Sequence, residues 1–136
     1  MRLLAGALVA ELRGLMSRWY EIAPHGARQC RVLPVGAAEE SYCSVYDSIG
    51  ARLSLLPCDV AEEVVRVYIR VKALIDRLRV VASIRLAMSR IENAAERARA
   101  EKQALDSSEE TVGYGRPVEQ MAEQLIDRLL QISGRR

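Results

Sequence analysis

The sequence predicts an all-α protein: a single helical domain over residues 1–136, built as a helical bundle around one very long helix at about 59–105. The long helix is expected to be shared with a second copy or coiled against it. Apolar residues recur at steps of three and four in several separate stretches, the period of an amphipathic helix. From Asp59 to Leu105 the chain contains neither Pro nor Gly. The apolar half of the composition (50%) is mainly Leu, Val, Ala and Ile, with no Phe and one Trp, which suits helices packed closely through small and aliphatic side chains.

The first helix is expected over about 2–22, where Leu4, Leu8, Leu12, Leu15, Trp19 and Ile22 share a face and Pro24 and Gly26 stop it. Its opening apolar run, Leu3 to Ala10, is too short to span a bilayer. A connector follows at 23–41, punctuated by Pro24, Gly26, Pro34 and Gly36. A short helix at about 42–55 places Tyr42, Val45, Tyr46, Ile49 and Leu53 on one side, and Gly50 weakens it by about 1 kcal/mol relative to Ala.

Pro57 marks the next boundary, and Asp59, Glu62 and Glu63 put negative charge at the start of the long helix, where its dipole favours it. At the standard rise a helix of about 45 residues is roughly 70 Å long, against roughly 35–40 Å for the whole globule. Such a helix must project, kink or pair with another chain. Its seam starts as Val64, Val67, Val71, Leu74, Leu78 and Val81. A second stripe then runs through Ile84, Met88, Ile91, Ala95 and Ala98 to Leu105, shifted round the helix by two successive steps of three. This second stripe is the candidate self-association surface. Residues 106–116, DSSEETVGYGR, read as a polar loop, and Pro117 opens a last helix over about 117–133 with Val118, Met121, Leu125, Leu129 and Ile132 on one face.

A net charge of +2 gives little whole-molecule attraction to nucleic acid or anionic lipid. The odd set of Cys30, Cys43 and Cys58 argues against a secreted disulfide framework and for reduced thiols in a cytoplasmic compartment. With His25 these cysteines lack the close-spaced pair of a zinc knuckle, so no metal and no cofactor are expected. No histidine or paired carboxylate sits in a pattern that marks catalysis, so no catalytic residue is assigned. Arg66, Arg70 and Arg77 share one helical face, a candidate basic surface for an acidic partner. Glu62–Arg66 and Lys72–Asp76 at four-residue spacing offer ion pairing on the same helix, and Tyr68 alone is interleaved for base stacking, so nucleic acid is not the expected partner.

The stretch SYCSVYDSIGARLSLLPCDVAEEVVRVYIRVKALIDRL resembles a set of uncharacterised bacterial helical proteins. In these a Tyr-x-x-Val-Tyr helix leads through an Arg-Leu-Gly-Leu-Leu-Pro turn into a long helix opening near Val-Arg-Phe-Tyr. The matching residues are Tyr42, Val45, Tyr46, Arg52, Leu53, Leu55, Leu56, Pro57, Val65, Arg66, Tyr68, Lys72, Leu74 and Asp76, with departures at Ser54 and Val67. The resemblance covers about residues 3–80 and carries no established activity. It implies that Arg52 and Arg66 are structural, in a polar cluster with Asp47. It also raises a membrane anchor ahead of the part similar to residues 3–22, which this chain does not contain.

The sequence therefore points to a non-catalytic helical interaction module, expected as a cytoplasmic homodimer and open to a protein partner. A cytosolic domain tethered through a missing anchor and a nucleic-acid-associated regulator using the arginine face are the alternatives.

Overall fold

A computed structural model describes residues 1–23 and 43–134. Among the described residues the chain forms four α-helices and no strand: α1 (Arg2–Ile22), α2 (Ser44–Ile49), α3 (Cys58–Met88) and α4 (Ala94–Ser133). A 3-10 turn, Gly50–Leu55, links α2 to α3. The all-α bundle read from the sequence is the observed fold, and α1 has the expected limits.

The short helix expected at about 42–55 divides at Gly50, whose φ of 36° leaves the α region, and continues as the 3-10 turn. The connector and Tyr42 lie outside the described residues, apart from Ala23.

The long helix differs from expectation at both ends of its second half. It does not run to 105: α3 stops at Met88, and Ser89–Asn93 turn the chain back. Asn93 starts α4 by accepting hydrogen bonds from the Ala95 and Glu96 backbone N–H groups, at 2.9 and 3.1 Å, so a side-chain cap does what no Pro or Gly does here. The expected loop 106–116 is helical, and the expected last helix is only the final part of the 40-residue α4. Pro117 lies inside α4 on an exposed position. Its ring faces the carbonyl of Gly113, four residues earlier, and Gly113 is also exposed, so water can take the bond that the proline cannot donate.

The helix through 106–116 is held by packing. Ala104, Ser108, Thr111, Gly115, Val118, Ala122, Leu125 and Leu129 are all buried and alternate steps of four and three. The Ser108 and Thr111 hydroxyls donate to the carbonyls of Ala104 and Ser107, both at 2.7 Å, so these polar groups are buried with partners. On α3 the seam Val64, Val67, Val71, Leu74 and Val81 is buried as the periodicity requires, and Leu78 packs partly buried beside it.

α3 and α4 form an antiparallel hairpin. Arg128 of α4 pairs with Asp59 and Glu63 at the start of α3, and Arg77 further along α3 stacks over Tyr114, 4.4 Å from its centroid. α1 packs along the half of α4 that carries Val118–Leu129, and one continuous core joins α1, α2, α3 and this part of α4. α1 has 21 residues, about 30 Å, while α3 has 31, about 46 Å, and α4 has 40, about 60 Å. The hairpin therefore outruns α1. In its distal arm Val81 and Ala104 are fully buried but lie outside the main core.

Candidate functional site

Three polar junctions lock the helices together. In the first, Glu11 of α1 reaches the start of α2. Its carboxylate accepts hydrogen bonds from the backbone N–H of Val45 (2.6 Å) and of Tyr46 (3.1 Å), and from the hydroxyl of Tyr68 on α3 (2.8 Å). The N–H groups of Val45 and Tyr46 belong to the first turn of α2 and have no intrahelical partner, so a side chain of another helix supplies the cap. Tyr68 is fully buried, and burial followed by its bond to the Glu11 carboxylate pushes its phenol well above the ordinary range. The Tyr46 and Tyr68 rings stack 4.2 Å apart and 6° from parallel. Lys72 pairs with Asp47, which raises the Lys72 pKa, and lies 5.3 Å from the Tyr46 centroid.

In the second junction, Trp19 near the end of α1 donates its Nε1–H to Glu119 of α4 at 2.8 Å, and both residues are buried. Arg116 Nη1 donates to the same carboxylate and to the Ala23 carbonyl that ends α1, each at 3.0 Å. The buried charge of Glu119 thus has both a counter-ion and a hydrogen-bond donor. Tyr20 donates to Glu123 beside it, and burial, then that bond, raises its pKa. Gly115 is what lets the indole lie against α4: a Cβ there would fall 2.4 Å from Trp19 Cη2 and Cζ2.

The third junction is Arg128 between Asp59 and Glu63. Its hydrogen bond lowers the Asp59 pKa, and the two carboxylates raise that of Arg128. Glu11, Glu119 and Arg128 carry no signal in the sequence, and Trp19 is legible only as part of the apolar face of α1, because each partner lies on another helix and no local pattern links them.

The polar cluster of Asp47, Arg52 and Arg66 is not assembled. Asp47 meets Lys72, while Arg52 is exposed on the 3-10 turn and Arg66 is exposed on α3. The expected Lys72–Asp76 pair is replaced, since Asp76 accepts from Arg79 at 3.3 Å. No Glu62–Arg66 pair forms among the described residues; Glu62 instead lies 3.8 Å from Cys58 Sγ. The self-association stripe is also broken up by the turn. Ile84 and Met88 end α3, Ile91 lies in the turn, and Ala95, Ala98 and Leu105 belong to α4. Ile84, Met88, Ile91 and Leu105 are half-buried, while Ala95 and Ala98 are exposed.

Arg66, Arg70 and Arg77 do lie together on one edge of α3. It is the edge beside α4 and away from α1: Arg77 stacks on Tyr114 there, whereas Tyr68 and Lys72 face α1 and α2. Ile84 and Met88, seven and eleven residues after Arg77, continue the same edge into the arm. Val80 is exposed next to it at 55%.

Among the described residues no group of three or more His, Cys, Asp or Glu side chains is arranged to hold a metal ion, and no helix is long and apolar enough to cross a membrane. His25 and Cys30 lie outside the described residues. Cys43 and Cys58 are free thiols in opposite settings. Cys43 is buried, and burial, then the nearby Glu11 carboxylate, pushes its pKa to about 11. Cys58 is exposed at the start of α3. At pH 8 the shift of Cys43 from 9.0 to about 11 lowers its thiolate fraction about 100-fold. Peptide mapping after brief iodoacetamide treatment is expected to find Cys58 alkylated and Cys43 protected until denaturant is added; equal labelling of both in the native protein would contradict this packing. Comparison with family models, with curated proteins and with solved structures finds no match to this chain.

Proposed function

We propose that the chain is a helical interaction module that works by self-association, as a homodimer, and has no catalytic activity. The observation that carries the reading is the α3–α4 hairpin, which outruns α1 and leaves Val80 and Leu86 exposed at 55% and 58% on its distal part. Apolar side chains at such positions are expected to gain from burial against a partner, roughly 1.5–3 kcal/mol for each one fully covered. The Tyr68 and Tyr20 hydroxyls donate to Glu11 and Glu123 on neighbouring helices, which supports a structural use of these polar groups.

We place the protein in the cytoplasm, on its odd set of three cysteines. Membership of the bacterial group resembled by residues 3–80 is part of the same proposal. Its support is that the motif residues Tyr46, Tyr68 and Lys72 meet in one cluster, a structural use of that motif.

Light scattering across a concentration series tests the reading. The expected result is a species of twice the 15.2 kDa chain mass that dissociates on dilution. A monomer at every concentration would overturn it.

A further inference from the structure

We infer that the first half of α4, Ala94–Thr111, is a separately opening unit hinged at Gly113–Pro117, which parts from α3 and closes again while the body of the bundle stays folded. The inference goes beyond the self-association reading and does not depend on it.

Burial divides the hairpin at this level. On the body side Val67, Tyr68 and Leu74 of α3 and Leu125, Ile126 and Leu129 of α4 are buried in the main core. Leu78 of α3 and Val112 of α4 are the last apolar side chains packed against that core in the direction of the arm. Beyond them the buried residues are Val81, Ala104, Ser108 and Thr111, small side chains of which two carry hydroxyls. Among the described residues none is buried from Ala82 to Gln103.

The helix register has the same consequence. Counting outward from the Arg77–Tyr114 contact along the antiparallel helices sets Met88 level with about Gln103, so the first two turns of α4 stand past the end of α3. Ala94–Arg99 are exposed throughout. Helices in proteins owe most of their stability to the packing of an apolar face. The arm half of α4 is therefore held far less firmly than the body half.

The backbone divides α4 at the same place. Pro117 has no N–H, so the helix ladder lacks the bond to the Gly113 carbonyl. Gly113 and Gly115, just before it, are weak helix formers. Helical order passes cooperatively from rung to rung, and a missing rung lets unravelling that starts at the 89–93 turn stop here. On the body side α4 is clamped at once: Trp19 and Arg116 both donate to Glu119, and Arg116 also donates to the Ala23 carbonyl that ends α1. α3 crosses this level with neither Pro nor Gly, so α4 is the helix that parts and α3 the one that stays.

Hydrogen exchange of the full chain, read by mass spectrometry at high dilution, tests the inference. In the wild type, amides 94–111 are expected to exchange at least about 100-fold faster than amides 118–130 once intrinsic rates are removed, with the step falling between 112 and 118. Glu11→Ala weakens the body alone. It is expected to speed amides 118–130 by about 30-fold or more and to leave 94–111 unchanged, because the arm opens from a body that is still folded. Should Glu11→Ala not fold by far-UV circular dichroism, Tyr68→Phe makes the same comparison with a smaller factor. Equal protection along α4, a smooth gradient from Ala94 with no step at 113–117, or acceleration of both segments together would overturn the hinge.

Discussion

Replacing Glu11 with Ala is expected to destabilise the protein by about 2–4 kcal/mol, measured by urea unfolding followed at the helical circular dichroism band. The figure combines two losses. The first turn of α2 loses the oxygens that accept from Val45 and Tyr46, a capping loss of about 1 kcal/mol. The hydroxyl of the fully buried Tyr68 loses its acceptor, and an unsatisfied buried hydroxyl costs about 1–3 kcal/mol. The double variant E11A/Y68F should recover part of the second loss, because removing both partners leaves nothing unpaired, whereas Y68F alone should be milder than E11A. An E11A protein within about 0.5 kcal/mol of wild type would show that the junction does not hold α2 in place.

Gly113→Ala and Gly115→Ala are expected to move stability in opposite directions, although the two glycines lie two residues apart on α4. In a helix interior Ala is favoured over Gly by about 0.8–1.0 kcal/mol. At Gly113 nothing lies within 4 Å of the new Cβ, so the intrinsic gain should appear nearly whole. At Gly115 the Cβ would stand 2.4 Å from two atoms of the Trp19 ring. The indole is buried and is tied by its Nε1–H to Glu119, so it cannot swing aside without breaking that bond. Overpacking of this kind costs typically about 1–3 kcal/mol and exceeds the propensity gain. Thermal melts should rise for Gly113→Ala and fall for Gly115→Ala. A rise in both would mean that α1 seats on α4 differently.

Much of the fold was legible in the sequence because it is written in apolar spacing. The faces of α1, the first part of α3 and the last part of α4 follow that spacing, and Pro57 sits at the boundary before α3. The middle of the chain was misread for one physical reason. Burial there is carried by small residues, Ala104, Ser108, Thr111 and Gly115, which look polar or flexible in isolation but fit where helices approach closely. Their four-and-three spacing continues without interruption into Val118, Ala122, Leu125 and Leu129, and it was the available signal. Asn93 followed three residues later by Glu96, a capping pattern, likewise marked the start of α4.

The basic edge of Arg66, Arg70 and Arg77 was visible because a single helix holds it. The junctions at Glu11 and Glu119 were not, because their partners are separated by as many as 57 and 100 positions along the chain. The stripe from Ile84 to Leu105 had the right residues near the right end of the molecule, but a turn divides it between two helices.

The pairing of the first helix with the last also sets an order for the chain's birth. Trp19 must wait for Glu119, 100 residues later, which at about 5–20 residues per second is about 5–20 s of translation. Until then α1 has only α2 and α3 to pack on, and the part of its apolar face that seats on α4 stays uncovered. The seat of Trp19 on α4 is therefore the last contact of the bundle to become available.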